Sequence, residues 1–251
     1  MLRGLCWLAL LGGAISAAGA AAGAAPLPPL GQRCGSQYAD VQAQIFRFKA
    51  ADGTSLDGAL LGNGSVGVVL ATEYPADLCG WLEYGLVLQH EGFSVLLFDF
   101  RGFGLSARGA RNDYAGDVVG AARELRRRGA HAVALVGASL GGAAVMVAGA
   151  RMSGITAVVS LSGETDLPGT GLHALRAVPR LRAPLLIMNS RLDNYSNAAD
   201  GRKLYRAAGS KVKRLALYPG GYHGWDLVDV APFKAKASAT LIGFLRAHAR
   251  V

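Results

Sequence analysis

Charge is scarce in this sequence: Asp, Glu, Lys and Arg together make up 17% of its 251 residues. A chain this apolar is not a solvated, disordered polyelectrolyte. Cysteine is nearly absent, with three residues, which excludes a disulfide-dense mini-scaffold and any Cys-x-x-Cys zinc framework. No internal repeat recurs at a fixed period, so solenoids and propellers are excluded. No Gly-x-Gly-x-x-Gly and no Walker lysine occur, which removes the dinucleotide fingerprint and the P-loop. No His, Cys or Asp cluster has metal-ligand spacing, so the sequence calls for neither a metal nor a cofactor. The basic residues are not interleaved with aromatics, and nucleic acid is not an expected partner. Beyond the first two dozen residues no apolar run reads as a transmembrane helix.

What is present begins with a leader. Arg3 is its only charge, and an apolar run follows from Leu5 to about Ile15. Small-x-small sites come next, at Ala18-Gly19-Ala20 and Ala22-Gly23-Ala24, before Pro26 and Pro28. A basic start, a short apolar core and an Ala-x-Ala end describe a secretory signal peptide over residues 1–24. The apolar core is too short for a membrane span, which needs roughly 20 residues. Residues 25–43 read as an N-terminal linker and 44–251 as one domain, a size that buries most of its surface. Export, to the medium, periplasm or cell envelope, would place Cys34 and Cys79 in an oxidising compartment. An even pair there predicts a disulfide. The formal charge of +9 would favour weak contact with an anionic envelope, although most of the cations read as solvated helix faces.

Along the domain, strand and helix signals alternate. Segments 44–49 and 55–61 read as strands joined by the turn Ala51-Asp52-Gly53. Apolar runs at 66–71, 94–100, 132–136, 155–161, 185–189 and 212–218 read as buried parallel strands. Helical patterns fall at 78–89, 113–128, 140–151, 197–208 and 232–249. The fold class is therefore α/β: a mostly parallel sheet of about eight strands with helices on both faces. Chemistry in such sheets sits outside the carboxyl ends of the strands.

Those ends carry the candidate residues. Gly137-Ala138-Ser139-Leu140-Gly141-Gly142 follows an apolar strand and opens a helix, which is the setting of a nucleophile elbow. Ser139 would sit on a sharp turn, with Gly137 and Gly141 leaving room where side chains would collide. A hydroxyl nucleophile needs a base. Of the five histidines, His90 and His131 precede strands, His248 lies in the last helix and His173 follows the sixth main strand. His223 alone follows the final strand, in a glycine-rich loop. The base needs an acid to fix its tautomer. Asp193 follows the strand at 185–189 and gives the chain order Ser, Asp, His; Asp166, Glu164 and Asp200 are rivals.

These residues, with Asp99-Phe100-Arg101-Gly102-Phe103-Gly104-Leu105-Ser106, resemble the α/β-hydrolase family over residues 44–249, and compact dienelactone hydrolase-like and small secreted esterases in particular. The resemblance implies a Ser-His-Asp triad that cleaves a carboxylic ester of a small molecule through an acyl-enzyme, with a structural role for Arg101. Acyl transfer, peptide cleavage or a catalytically silent binding role are the alternatives. It also implies an oxyanion hole from the backbone N–H groups of Leu140 and Tyr74. At the second of these the sequence departs from the family: Thr72-Glu73-Tyr74 stands where His-Gly-x is common. Glu73 is expected to face solvent or an arginine. Residues 163–184 form a loop with one short helix rather than a lid domain, which leaves the cleft open.

Overall fold

The computed structural model describes residues 26–250; the leader expected over 1–24 lies outside the described residues. A hairpin, β1 (Ala43–Lys49) and β2 (Ser55–Leu61), opens the domain. Six strands follow: β3 (Val66–Ala71), β4 (Ser94–Phe98), β5 (Ala132–Ala138), β6 (Ile155–Leu161), β7 (Leu185–Ser190) and β8 (Lys213–Tyr218). They form one sheet in the order β1-β2-β4-β3-β5-β6-β7-β8. From β4 to β8 every neighbouring pair is parallel, while β2 runs antiparallel to both β1 and β4.

Alternation along these apolar strands feeds two cores. Val69, Leu96, Leu135, Val158 and Ile187 face one side. There they meet α3 (Tyr114–Arg127), α4 (Leu140–Arg151), α5 (Ala174–Ala177) and α6 (Ala198–Ala207). Val68, Leu70, Leu97, Val136 and Met188 face the other. Their partners are α1 (Leu30–Arg33), α2 (Leu82–His90), α7 (Asp226–Asp229) and α8 (Lys234–His248). The period of two puts successive side chains on opposite faces, so a strand covered on both sides must be apolar throughout.

Local signals set the helix starts. The Asp113 side chain accepts from the Gly116 N–H at the head of α3. Asn197 caps α6 in a reciprocal capping box with Asp200, satisfying donors that a helix start leaves unpaired. The helix expected over 78–89 divides into a 3-10 turn, Leu78–Trp81, and α2. Two hydrogen bonds divert the first part: Cys79 N–H donates to Asp77 and Leu78 N–H to Asp99.

The segment expected to be a linker is instead part of the domain. Leu30 is buried, and Cys34 is disulfide-bonded to Cys79 across 45 residues of chain. Arg33 forms ion pairs with both Asp57 and Asp99, whose side chains are fully buried. Asp99 also accepts the N–H groups of Leu78 and Leu105, so the N-terminal segment is tied to the loops after β3 and β4. Arg101 has the structural part expected of it. It lies buried between Asp117, at 2.6 Å, and Asp52, at 2.8 Å. Among the described residues no helix is long and apolar enough to cross a membrane.

Candidate active site

Six loops leave the carboxyl ends of β3 to β8 at one edge of the sheet, and those after β3, β5, β7 and β8 carry Tyr74, Ser139, Asp193 and His223. Ser139 stands between β5 and α4 with φ 50° and ψ −116°. A non-glycine residue there is strained by about 1–3 kcal/mol, and such outliers concentrate at functional sites. Tight packing enforces the turn. A Cβ on Gly137 would lie 2.3 Å from the Gly141 carbonyl oxygen, and one on Gly141 would lie 2.2 Å from that of Ala71. No side chain fits at either position, and their absence lets the first turn of α4 press against the end of β3. The Ser139 N–H is bound to Leu161 O, whereas the first N–H groups of α4, beginning with Leu140, head a helix whose positive end faces the site.

Asp193 and His223 come from the loops after β7 and β8 and meet. His223 Nδ1 lies 2.9 Å and 3.0 Å from the two Asp193 carboxylate oxygens. Asp193 Oδ1 also accepts the N–H groups of Tyr195 and Ser196. Burial raises the proton affinity of Asp193, but the His223 ring and the Tyr195 N–H outweigh it and hold the carboxyl below its usual range. Burial pulls His223 down; the Asp193 hydrogen bond and charge, with the charges of Glu73 and Glu164, carry it above its usual value. An ionised Asp193 accepting from Nδ1–H leaves Nε2 as the free acceptor. The histidine loop passes close to the end of β5: a Cβ on Gly224 would lie 3.5 Å from that of Ala138.

The rival carboxylates are engaged elsewhere. Asp166 pairs with His173 on the exposed loop after β6. Asp200 completes the capping box of α6 and pairs with Lys203. Glu164 is half-buried and faces His223 without a hydrogen bond to it; burial raises its proton affinity.

Tyr74 lies on the loop after β3, its ring exposed and packed edge-on against Phe103. Glu73 departs from expectation. It neither faces solvent nor meets an arginine. Its Oε2 is buried without a hydrogen-bond partner and occupies the space beside Gly224, where a Cβ would lie 1.7 Å away. Burial raises this carboxyl to about 7, against the opposing pull of His223 and the Trp225 N–H. Sequence reasoning missed Tyr195, whose ring lies 4.8 Å from that of His223. No local signal marks it, since the contact joins two loops. A cavity of about 340 Å³ opens on the loop after β6, lined by Thr165, Asp166, His173, Leu175 and Arg176. Another, of about 270 Å³, lies beside Tyr74, Phe103 and Tyr114. Among the described residues no His, Cys, Asp and Glu group is arranged to hold a metal ion.

Comparison with known proteins agrees with this architecture. The family described as alpha/beta hydrolase fold matches residues 74–181, and the family described as serine aminopeptidase, S33, matches residues 165–225. No curated protein matches the chain in sequence. Among solved structures, an esterase of Pyrococcus furiosus superposes with a TM-score of 0.71 at 16% identity, covering 85% of this chain and 93% of the other. A monoacylglycerol lipase of Paleococcus ferrophilus gives 0.67 at 17% identity, over 77% and 99%. A dienelactone hydrolase of Anabaena variabilis gives 0.67 at 24% identity, over 83% and 100%. With an eight-stranded sheet in this order, a serine turn at the head of α4 and hydrolase family matches running from the loop after β3 to the histidine loop, the chain is an enzyme with the α/β-hydrolase fold.

Proposed function

We propose that the protein is a serine esterase whose nucleophile is Ser139, whose base is His223 and whose orienting acid is Asp193. The observation that carries this reading is the strained Ser139 turn on the same sheet edge as a hydrogen-bonded Asp193–His223 pair. Ser139 Oγ attacks the ester carbonyl while His223 Nε2 takes its proton. The N–H groups of Leu140 and Tyr74 receive the oxyanion. As the tetrahedral intermediate collapses, the C–O bond to the alcohol breaks and the imidazolium returns the proton to the departing oxygen. Water, deprotonated by His223, then releases the acid and restores Ser139. Asp193 stays ionised throughout and holds the ring by Nδ1–H.

The likeness to solved structures of an esterase, a monoacylglycerol lipase and a dienelactone hydrolase favours a carboxylic ester of a small molecule as substrate. The short loop after β6, in place of a lid, favours small acyl groups or an ester exposed on a larger molecule. The Cys34–Cys79 disulfide supports work outside the reducing cytoplasm. A second reading is peptide cleavage on the same residues. The serine aminopeptidase match favours it, because it spans both Asp193 and His223.

Labelling with a fluorophosphonate tests the reading. A stoichiometric phosphonyl adduct on Ser139, absent from Ser139→Ala and from unfolded protein, is expected. A folded protein that takes no label between pH 7 and 9 would defeat it and leave a binding role. Hydrolysis of a p-nitrophenyl ester set against an aminoacyl anilide separates esterase from peptidase.

A further inference from the structure

One buried group beside the histidine has no part in this reaction, Glu73. Its carboxyl is drawn into the protein beside the histidine loop. Gly224, with φ 55°, gives it room: a methyl group there would overlap Oε2. The glycine and the glutamate therefore fit as a pair, one supplying the space that the other fills. One Glu73 oxygen has no hydrogen-bond partner. The Trp225 N–H supports the carboxylate, but a buried oxygen left without a partner is costly, and a proton or a positive charge relieves that cost. The charge at hand is the His223 ring.

We propose that Glu73, buried against the histidine loop, is a second carboxylate acting on His223, a positioning residue whose charge stabilises the imidazolium beside Asp193 and so sets the acid limit of catalysis. This inference rests on the serine-hydrolase reading for its catalytic consequence, though not for its electrostatics. The groups facing Glu73 are His223, Asp193 and Asp226. Those facing the ring are Asp193, Glu73 and Glu164. Asp193 is ionised across the working range and contributes a constant field. Glu73 titrates near neutrality and its charge acts on the ring, so the two groups titrate in joint steps. When Ser139 gives up its proton, a charged Glu73 stabilises the imidazolium that forms. The same charge raises the proton affinity of the resting ring, so the base is protonated at higher pH than beside Asp193 alone; below about 7 Glu73 takes up its own proton and the added field is withdrawn.

The test is a titration of the His223 ring in isotope-labelled protein, its signal assigned with His223→Gln, in the wild type, Glu73→Gln and Glu164→Gln. Glu73→Gln keeps the shape of the side chain and removes its charge. The expected result is a ring midpoint lower in Glu73→Gln by about half a pH unit or more, a threefold or larger loss of proton affinity. The acid limb of fluorophosphonate labelling should move down by the same factor. An unmoved midpoint in Glu73→Gln, or a shift found only in Glu164→Gln, overturns the proposal. Absence of labelling in the wild type would sink the serine-hydrolase reading instead, and the ring titration would still decide the electrostatic claim. Should Glu73→Gln not fold, the Glu164→Gln curve decides: a ring titration broader than one proton supports Glu73, and a single-proton curve overturns it.

Discussion

At the scale of single residues, the site is held in conformations that the chain would not adopt on its own. Ser139 is the clearest case, with φ 50°. Ser139→Gly and Ser139→Ala should both abolish labelling, yet differ in stability. Urea denaturation should find the glycine variant more stable than the alanine variant by about 1–2 kcal/mol, because only the former relieves the strain. Glu73 stores cost in another form. Its folded proton affinity, about 7, lies above its ordinary value of 4.5. The native state therefore binds a proton that the unfolded chain has released. The stability from that proton is complete below about pH 4.5 and fades as pH rises to 7. Relative to Glu73→Gln, the wild type should lose up to roughly 3 kcal/mol between those limits, read from denaturation midpoints at each pH. That Ser139, Asp193 and His223 stand at one edge of the sheet was legible in the sequence, because strand ends and glycine turns mark such positions. The direction of Glu73 was not. Residue type predicts an exposed carboxylate, and what draws this one inward is the space beside Gly224, 151 positions away in the chain.

At the scale of elements, the sheet and its helices follow local signals and the N-terminal segment follows distant ones. The capping box at Asn197 and Asp200 is written within four residues. Asn197→Ala should cost about 1 kcal/mol and leave labelling intact. The segment 30–38 has too few apolar residues to show a period and reads as linker. Its role depends on partners in β2, at the end of β4 and in the turn before α2. Arg33 answers two buried carboxylates at once, and burial raises the proton affinity of both Asp57 and Asp99 in spite of it. Arg33→Ala should therefore cost about 3–5 kcal/mol near neutral pH, the size found when one partner of a buried pair is removed. The deficit should shrink towards pH 4, where the abandoned carboxyls are protonated. A constant deficit across pH would show that packing, not charge, holds the segment.

At the scale of the whole molecule, the disulfide and the buried Arg33 act on the same segment. Reduction frees a loop whose closure contributes up to about 4 kcal/mol, and it also loosens the segment that carries Arg33. Reduced protein and the Arg33→Ala variant should therefore be less than additive in a thermal denaturation cycle, since each removes part of what the other needs. Full additivity would mean that the bond and the ion pairs act separately. Eight strands in an open sheet leave two borders, β1 and β8. Unpaired strand borders are templates on which separate copies can join. Here both borders carry cations, Arg47 and Lys49 on β1 and Lys213 and Arg214 on β8. Bringing any two borders together sets positive charge against positive charge. The polarity that gives the chain its high isoelectric point is thereby also a barrier to self-assembly, strongest in dilute buffer and weakening as added salt screens it.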